Sequence, residues 1–305
     1  VTSQDYASII QRNFANIESI STWGGEDNVI PDYGKAYLSI KPLIGNALTQ
    51  SEKDEIVAIL ANKNTVSITP EILDPEFTNI ELDVIFKYNP ALTSRTRQAI
   101  ESLVTDTILD YNFNQLNKFD GVFRHSQLLK LIDAADPAIQ NSTVRPYMFM
   151  NITPSTTEGA NNFQLSFTSP FYKSGASTVF ILNSTPFKLA YSGTIDHYFG
   201  DIPIAGSVNR QIIIYKIVGG ENVTVINDAV ILDPDKGTVT INNFTTYNTN
   251  PIRITVTPNS LDLAPKRDQL IAIDALRVNI TPSVDTISVS GSTGTINYTT
   301  PSRLR

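Results

Sequence analysis

The chain of 305 residues contains no cysteine. That excludes a disulfide framework, a thiolate nucleophile, a zinc–thiolate site and an iron–sulfur cluster. His125 and His197 are the only histidines, so a three-histidine metal site is impossible. Charge is scarce as well: 17% of residues are Asp, Glu, Lys or Arg, against about a quarter in an average domain. No run of about 18 uninterrupted apolar residues occurs, so no helical membrane span is expected. The first residues read as an amphipathic helix rather than a signal peptide.

What is present suits a folded, β-rich protein. Hydrophobic residues at 41% supply material for cores, and at roughly 150 residues per domain the length predicts about two domains. Asn, Thr and Ser fill the place of the missing charge, mostly in the second half, which suits uncharged β surfaces rather than a coiled coil or an acidic disordered tail. Residues 1–150 hold nineteen acidic and twelve basic side chains, and 151–305 hold eleven of each, so the whole net charge of −7 lies in the first half. With a sequence pI near 4.9 and no basic stripe, nucleic acid is not an expected partner. Lys266-Arg267, the longest basic cluster, reads as a solvated turn.

Helices and strands alternate up to Thr153. Thr2 and Asp5 have capping-box spacing ahead of Tyr6, Ile9, Ile10, Phe14 and Ile17 at helical intervals. Trp23-Gly24-Gly25 is expected to break that helix, Pro31 to forbid its return, and Gly34–Lys41 to form a strand. Thr49 and Glu52 make a second capping box before a helix carrying Ile56, Ile59 and Leu60. Val66–Thr69 reads as a short strand ended by Pro70. Asn79–Tyr88 alternates Ile80, Leu82, Val84 and Phe86 with Glu81, Asp83, Ile85 and Lys87, one face buried and the other mostly wet. Helices at about Ser94–Leu116 and Ser126–Ala135 follow, the second stopped at Asp136 by Pro137, and Val144–Ile152 is a strand. Without the first and third helices the order is β-α-β-β-α-β, the split-βαβ or ferredoxin-like arrangement.

After residue 153 helical periodicity nearly vanishes. Strands are expected at Phe163–Thr168, Val179–Leu182, Phe187–Tyr191, Gln211–Val218, Val223–Ile226, Ala229–Leu232, Thr238–Phe244, Ile252–Thr257 and Leu270–Ile273. Gly219-Gly220 predicts a tight hairpin. Asp233-Pro234-Asp235-Lys236-Gly237 predicts another turn, with positive φ at Gly237. The fold class is therefore α+β: a split-βαβ domain over 1–152, then a mainly antiparallel β region over 153–282. Residues 283–305 read as an extended or disordered C-terminal arm.

Catalytic patterns are missing throughout: no GxxxxGK[ST], HExxH, GxSxG or GxGxxG occurs. His125 and Ser126 are adjacent on a helix, where side chains diverge, so they make no catalytic dyad. His197, in Asp196-His197-Tyr198, is a lone histidine in a loop. Asp74 and Glu76 around Pro75, and Asp233 and Asp235, read as connection and turn chemistry rather than as a glycosidase pair or a calcium loop. Asn-X-Ser/Thr triplets, among them Asn141, Asn151, Asn183, Asn222 and Asn279, carry no weight as glycan sites in so Asn-rich a chain. No catalytic, cofactor-binding or metal-ligating residue is nominated, no cofactor is expected, and the expected role is non-enzymatic. What survives is strand edges: many short strands with few charges should offer edges able to pair with other chains.

A resemblance points the same way. Val1-Thr-Ser-Gln-Asp-Tyr6, Trp23-Gly24-Gly25-Glu26 and Pro31-Asp-Tyr33-Gly34-Lys35 through Lys41-Pro42 resemble the baseplate wedge proteins of contractile-tailed, T-even-type bacteriophages, the baseplate J-like group. Phe123-Arg124-His125-Ser126, Ile132-Asp133, Asp136-Pro137, Ile254–Pro258 and Arg267-Asp268-Gln269 add to it. The family subunit is longer, so the chain is similar to its C-terminal half, which accounts for a start at Val1. The resemblance implies a structural protein of the virion tail baseplate, assembled in the host cytoplasm. Its implied partners are itself, as a homodimer and in a ring, and other wedge proteins, in a ring that rearranges on contraction. It further implies that Phe163–Thr168 and Ile252–Thr257 share one β unit, with an inserted β subdomain at about 171–245. The alternative reading is a carbohydrate-binding or adhesin-like β module, which would need exposed aromatics among Phe167, Phe171, Tyr191, Tyr215 and Phe244.

Overall fold

The computed structural model describes residues 3–28, 31–61, 68–155, 157 and 159–285. The first half contains α1 (Ser3–Asn13), β1 (Ser19–Gly24), β2 (Lys35–Lys41), α2 (Gln50–Ala61), β3 (Thr69–Leu73), β4 (Glu76–Tyr88), α3 (Arg97–Gln115), α4 (His125–Ala135) and β5 (Ile139–Ile152). The second contains β6 (Asn161–Ser166), β7 (Leu182–Ser184), β8 (Tyr198–Pro203), β9 (Arg210–Val218), β10 (Glu221–Asp233), β11 (Thr238–Phe244), β12 (Ile252–Val256) and β13 (Gln269–Val284).

Residues before Asp74 fold around their own small core. β2 runs antiparallel to β1 and, across α2, parallel to β3; a parallel neighbour requires such a crossover. Ala36, Leu38 and Ile40 of β2 meet Tyr6 and Ile10 of α1 and Ile56 and Leu60 of α2. The capping box of α2 forms as expected: Thr49 N–H donates to Glu52 Oε2 at 2.8 Å, and Glu52 N–H donates to Thr49 Oγ1 at 3.3 Å. Thr2, of the other expected box, lies outside the described residues. α1 ends at Asn13, well before Trp23-Gly24-Gly25, and Trp23 and Gly24 complete the unexpected strand β1. Gly25 then opens a short 3-10 turn. A Cβ on Gly25 would sit 1.9 Å from the Asp32 carbonyl oxygen, so only glycine permits this approach. The strand expected at Val66–Thr69 lies partly outside the described residues, and β3 itself includes Pro70. As the outer strand of three, β3 leaves the missing proline N–H without a ladder to break.

The expected ferredoxin-like sheet does not form. β2 and β3 stay in the three-stranded sheet β1-β2-β3, whereas β4 and β5 belong to a five-stranded sheet ordered β13-β4-β5-β12-β7. The side of β4 that a strand from the first half would have used is taken by β13, which runs parallel to it from the far end of the chain. β4 itself alternates as expected: Ile80, Leu82, Val84 and Phe86 are buried against Ile100, Val104 and Ile108 of α3 and Leu128 and Ile132 of α4. β13 begins where the short strand at Leu270–Ile273 was expected but continues to Val284, after a register shift between Ile273 and Val278. Residues 286–305, most of the expected C-terminal arm, lie outside the described residues.

The third sheet is antiparallel throughout, ordered β6-β11-β10-β9-β8. β6 therefore pairs with β11 and β12 with β5, so Phe163–Thr168 and Ile252–Thr257 lie in different sheets. The two strands expected at Val223–Ile226 and Ala229–Leu232 are one irregular strand, β10. Phe187–Tyr191 makes only isolated bridges, Phe187 to His197 and Leu189 to Thr246. Both turns appear: Gly219 and Gly220 have φ of 60° and 89°, and Gly237 has 66°. Phe187, Phe199, Ile212, Ile214, Val239 and Phe244 of this region join the core of the second sheet, so residues after Pro75 share one continuous interior.

Candidate interaction surfaces

Two separate cores direct attention to the seam between them. Asp74-Pro75 is the covalent link, and Lys53 of α2 reaches Asp74 at 2.8 Å. β1 offers hydroxyls to the larger unit: Ser21 Oγ donates to the Arg267 carbonyl at 2.6 Å, and Ser19 Oγ accepts from Phe119 N–H at 3.3 Å. The Arg267 guanidinium lies 3.7 Å from the Asp27 carboxylate, both about half exposed. Trp23 stacks on Tyr37 at 5.8 Å and lines a seam cavity of about 230 Å³ with Asp27, Asn28, Arg267 and Asp268. Exposed ion pairs contribute about 0–1 kcal/mol, so this seam is held by weak, water-accessible contacts rather than shared apolar packing. Of Lys266-Arg267, expected as a solvated turn, Arg267 is thus part of the seam, while Lys266 turns into the larger unit. Lys266 Nζ donates to Ser166 Oγ at 3.0 Å, and burial lowers its pKa.

The residues weighed for chemistry serve structure. His125 opens α4; its N–H donates to Asp262 Oδ1 at 2.9 Å and its ring Nε2 is 2.9 Å from the Val144 carbonyl. That N–H also holds the Asp262 carboxyl below its ordinary pKa, helped by Arg124. His197 is buried beside Phe187, Nδ1 lies 3.0 Å from the Ile195 carbonyl, and burial lowers its pKa. Asp74 meets Lys53, Glu76 accepts from Gln269 at 3.2 Å, and Asp233 Oδ1 accepts from the N–H of Asp235 and Lys236 at 3.1 Å. The carboxylates of each pair turn to separate structural partners. Among the described residues no group of three His, Cys, Asp or Glu is arranged to hold a metal ion.

Sequence reasoning overlooked two polar devices. The first is Asp201 with Arg210, both fully buried and ion-paired through Nε and Oδ2. Asp201 Oδ1 also accepts from the N–H of Ile181 and Leu182, while the guanidinium donates to the carbonyls of Gly175, Ser177 and Val179. One pair thereby pins the loop before β7 to β8 and β9. The second is Lys41, buried at the end of β2, whose ammonium donates to the carbonyls of Pro42 at 2.7 Å and Gly45 at 2.8 Å. Desolvation lowers its pKa. The clasp organises a loop that presents Leu43 and Ile44, the latter 84% exposed. No motif marks either device; both are single charges in otherwise uncharged stretches.

Exposed apolar side chains gather elsewhere too. Ile217, Val218, Val223 and Val225 project from the hairpin of β9 and β10. Of the aromatics a carbohydrate-binding reading needs, Phe167, Phe171, Tyr215 and Phe244 are buried and Tyr191 is exposed. On the second sheet Arg253 lies over the Phe149 ring at 5.5 Å and 3.9 Å from Glu81, with Arg277 and Asp274 beside the same cavity of about 240 Å³. The lining carries two positive side chains against one negative, with Glu81 near Arg253 outside it.

Comparison with known proteins bears on the first half. Residues 2–73 match the family model described as baseplate structural protein gp6, C-terminal domain I, and residues 76–151 match gp6, C-terminal domain III. The boundary between the two matches falls at Asp74-Pro75, where the two cores divide. A curated relative, baseplate wedge protein gp6 of Enterobacteria phage T4, is 26% identical over 153 residues, which is 50% of this chain. The matched stretch spans 23% of that relative's length.

Proposed function

We propose that this chain, a member of the T-even-type baseplate wedge family and similar to the C-terminal half of its large subunit, is a structural part of a bacteriophage tail baseplate wedge. In the virion it associates with itself and with other wedge proteins, links neighbouring wedges into the baseplate ring, and changes its contacts when the tail contracts. The paired matches at 2–73 and 76–151, meeting where the folded units meet, carry this reading. The polar seam supports the last part of it. A ring that switches shape keeps some contacts while exchanging others, and weak polar contacts exchange at lower cost than a shared apolar core. Its mechanism is differential contact between states, and it calls on no cofactor.

Gold-labelled antibodies raised against the chain test this on intact virions and on contracted tails. Label should collect at the distal end of the tail in both. Label on the head, on the tail shaft or on no part of the particle would overturn the proposal.

A further inference from the structure

The hairpin of β9 and β10 outruns its neighbours. β8 pairs with β9 only as far as Tyr215, and β11 pairs with β10 through Leu232 and Asp233. Among the described residues, Lys216–Ile226 therefore project with no strand on either side. Ile217 and Val218 are 54% and 53% exposed, Val223 and Val225 42% and 36%. They occupy both faces of the hairpin, since Ile217 stands opposite Asn222 and the adjacent Val218 opposite Glu221.

The turn fixes which backbone groups face outward. Positive φ at both Gly219 and Gly220 defines a two-residue turn of type I′. It makes Val218 and Glu221 a hydrogen-bonded pair, and alternation makes Lys216 and Val223 the next. The N–H and C=O of Asn222 and Thr224 then point away from β9, onto the open edge. Proteins commonly blunt such edges with proline, lysine or a bulge; the segment from Glu221 to Ile226 has no proline or lysine, its single charge is at one end, and its register shift comes only after Thr224, which still pairs with Tyr215.

We propose that this edge is a self-pairing strand. The same segment of a second copy adds antiparallel across a two-fold axis at Thr224, extending the third sheet from one subunit into the other. Val223-Thr224-Val225 reads the same in both directions, and its central residue has its hydrogen-bonding groups turned outward. About the axis, the two Thr224 residues exchange both N–H···O bonds, and Val223 of each copy packs on Val225 of the other. Threonine and β-branched cross-strand pairs are favourable, and this register sets no like charges opposite each other within the segment. A two-fold contact uses the same patch on both copies, and a segment that is its own complement fits a second copy better than a foreign strand. The inference rests on the proposed self-association and names the surface responsible.

Sedimentation of the 305-residue chain, with matched variants, tests it. Thr224→Pro removes an outward N–H without breaking a bond to β9, and Val223→Lys places two charges near the axis. Each should weaken dimerisation roughly tenfold or more, Thr224→Pro by losing one or two backbone hydrogen bonds and Val223→Lys by like-charge repulsion, while leaving the circular dichroism spectrum unchanged. Because the chain has no cysteine, Thr224→Cys should oxidise to a covalent dimer, and the exposed control Ser207→Cys should not. If Val223→Lys sediments as the unaltered chain does and Thr224→Cys links no faster than the control, the edge is refuted and self-association stands. If the unaltered chain is a strict monomer at high concentration, both fall.

Discussion

Replacing Asp201 with Asn tests how far one buried charge pair organises the larger unit. The substitution keeps side-chain volume and retains an oxygen for the N–H groups of Ile181 and Leu182, but it leaves the Arg210 guanidinium charged and fully buried. Breaking such a pair from one side costs about 3–5 kcal/mol, because the surviving charge keeps its desolvation penalty. At about 2–4 °C per kcal/mol for a unit of this size, melting should fall by about 6–20 °C. The carbonyls of Gly175, Ser177 and Val179 spread the remaining positive charge, which favours the lower part of that range. Arg210→Met should cost a comparable amount, since it strands the Asp201 carboxylate and frees the loop. The paired replacement Asp201→Leu with Arg210→Met should cost less than the sum of the single changes, because neither charge is then left alone. Calorimetry on the four proteins of that cycle, with Asp201→Leu alone, gives the coupling directly. A loss below about 1 kcal/mol for Asp201→Asn, or additive costs in the cycle, would sink the reasoning.

Trp23 is the only tryptophan and lies in the small unit, so its fluorescence reports that unit while circular dichroism is weighted towards the larger one. With so thin a seam, urea curves from the two probes should separate, and coincident curves would show the units to be coupled. Thr49→Ala removes half of the α2 capping box and should lower the Trp23 transition by about 1 kcal/mol without moving the other. Burial lowers the His197 pKa from its ordinary 6.5, so the unfolded chain takes up a proton there before the folded one does. Stability should hold above that value and decline as pH falls below it; urea midpoints at about pH 7.5 and pH 5.5 should show the decline, and His197→Gln should lessen it. Gly200→Val adds a Cβ 2.8 Å from the Phe180 ring and 3.0 Å from Tyr215, which should cost about 1–3 kcal/mol by overpacking, read as a lower melting temperature.

Local structure was legible where a single physical rule decided it. Alternation placed Ile80, Leu82, Val84 and Phe86 on one buried face, and the Thr49–Glu52 spacing placed the start of α2. Pro137 stopped α4 at Ala135, and Gly219-Gly220 turned the hairpin. Pairing across the sequence was not legible. Nothing in β4 says whether its free side will take β3, close in sequence, or β13, from the far end; both have apolar strand character, and only the three-dimensional packing decides. Ser19–Gly24 hid as a strand because Trp23-Gly24-Gly25 looks like a break, yet the break is a 3-10 turn after β1 rather than the end of α1.

The interaction surfaces show the same limit more sharply. Low charge pointed to surfaces that lie against neighbours, but composition does not say which surfaces. Asp201 and Arg210 look like ordinary exposed charges in the sequence, and their burial follows from β8 and β9 lying side by side with the loop at Gly175–Val179 folded over them. Ile217, Val218, Val223 and Val225 look like core strand residues, and their exposure follows from the early ends of β8 pairing and β11 pairing. The two mistakes are mirror images with one cause: hydrophobicity reports what a side chain would prefer, whereas strand length relative to its neighbours decides what it gets. A strand that outruns both neighbours leaves its apolar side chains without cover inside the subunit. Among the described residues no strand covers it, and the proposed second copy would do so, which is why the projecting end of β9 and β10 is a more informative surface than the charged clusters.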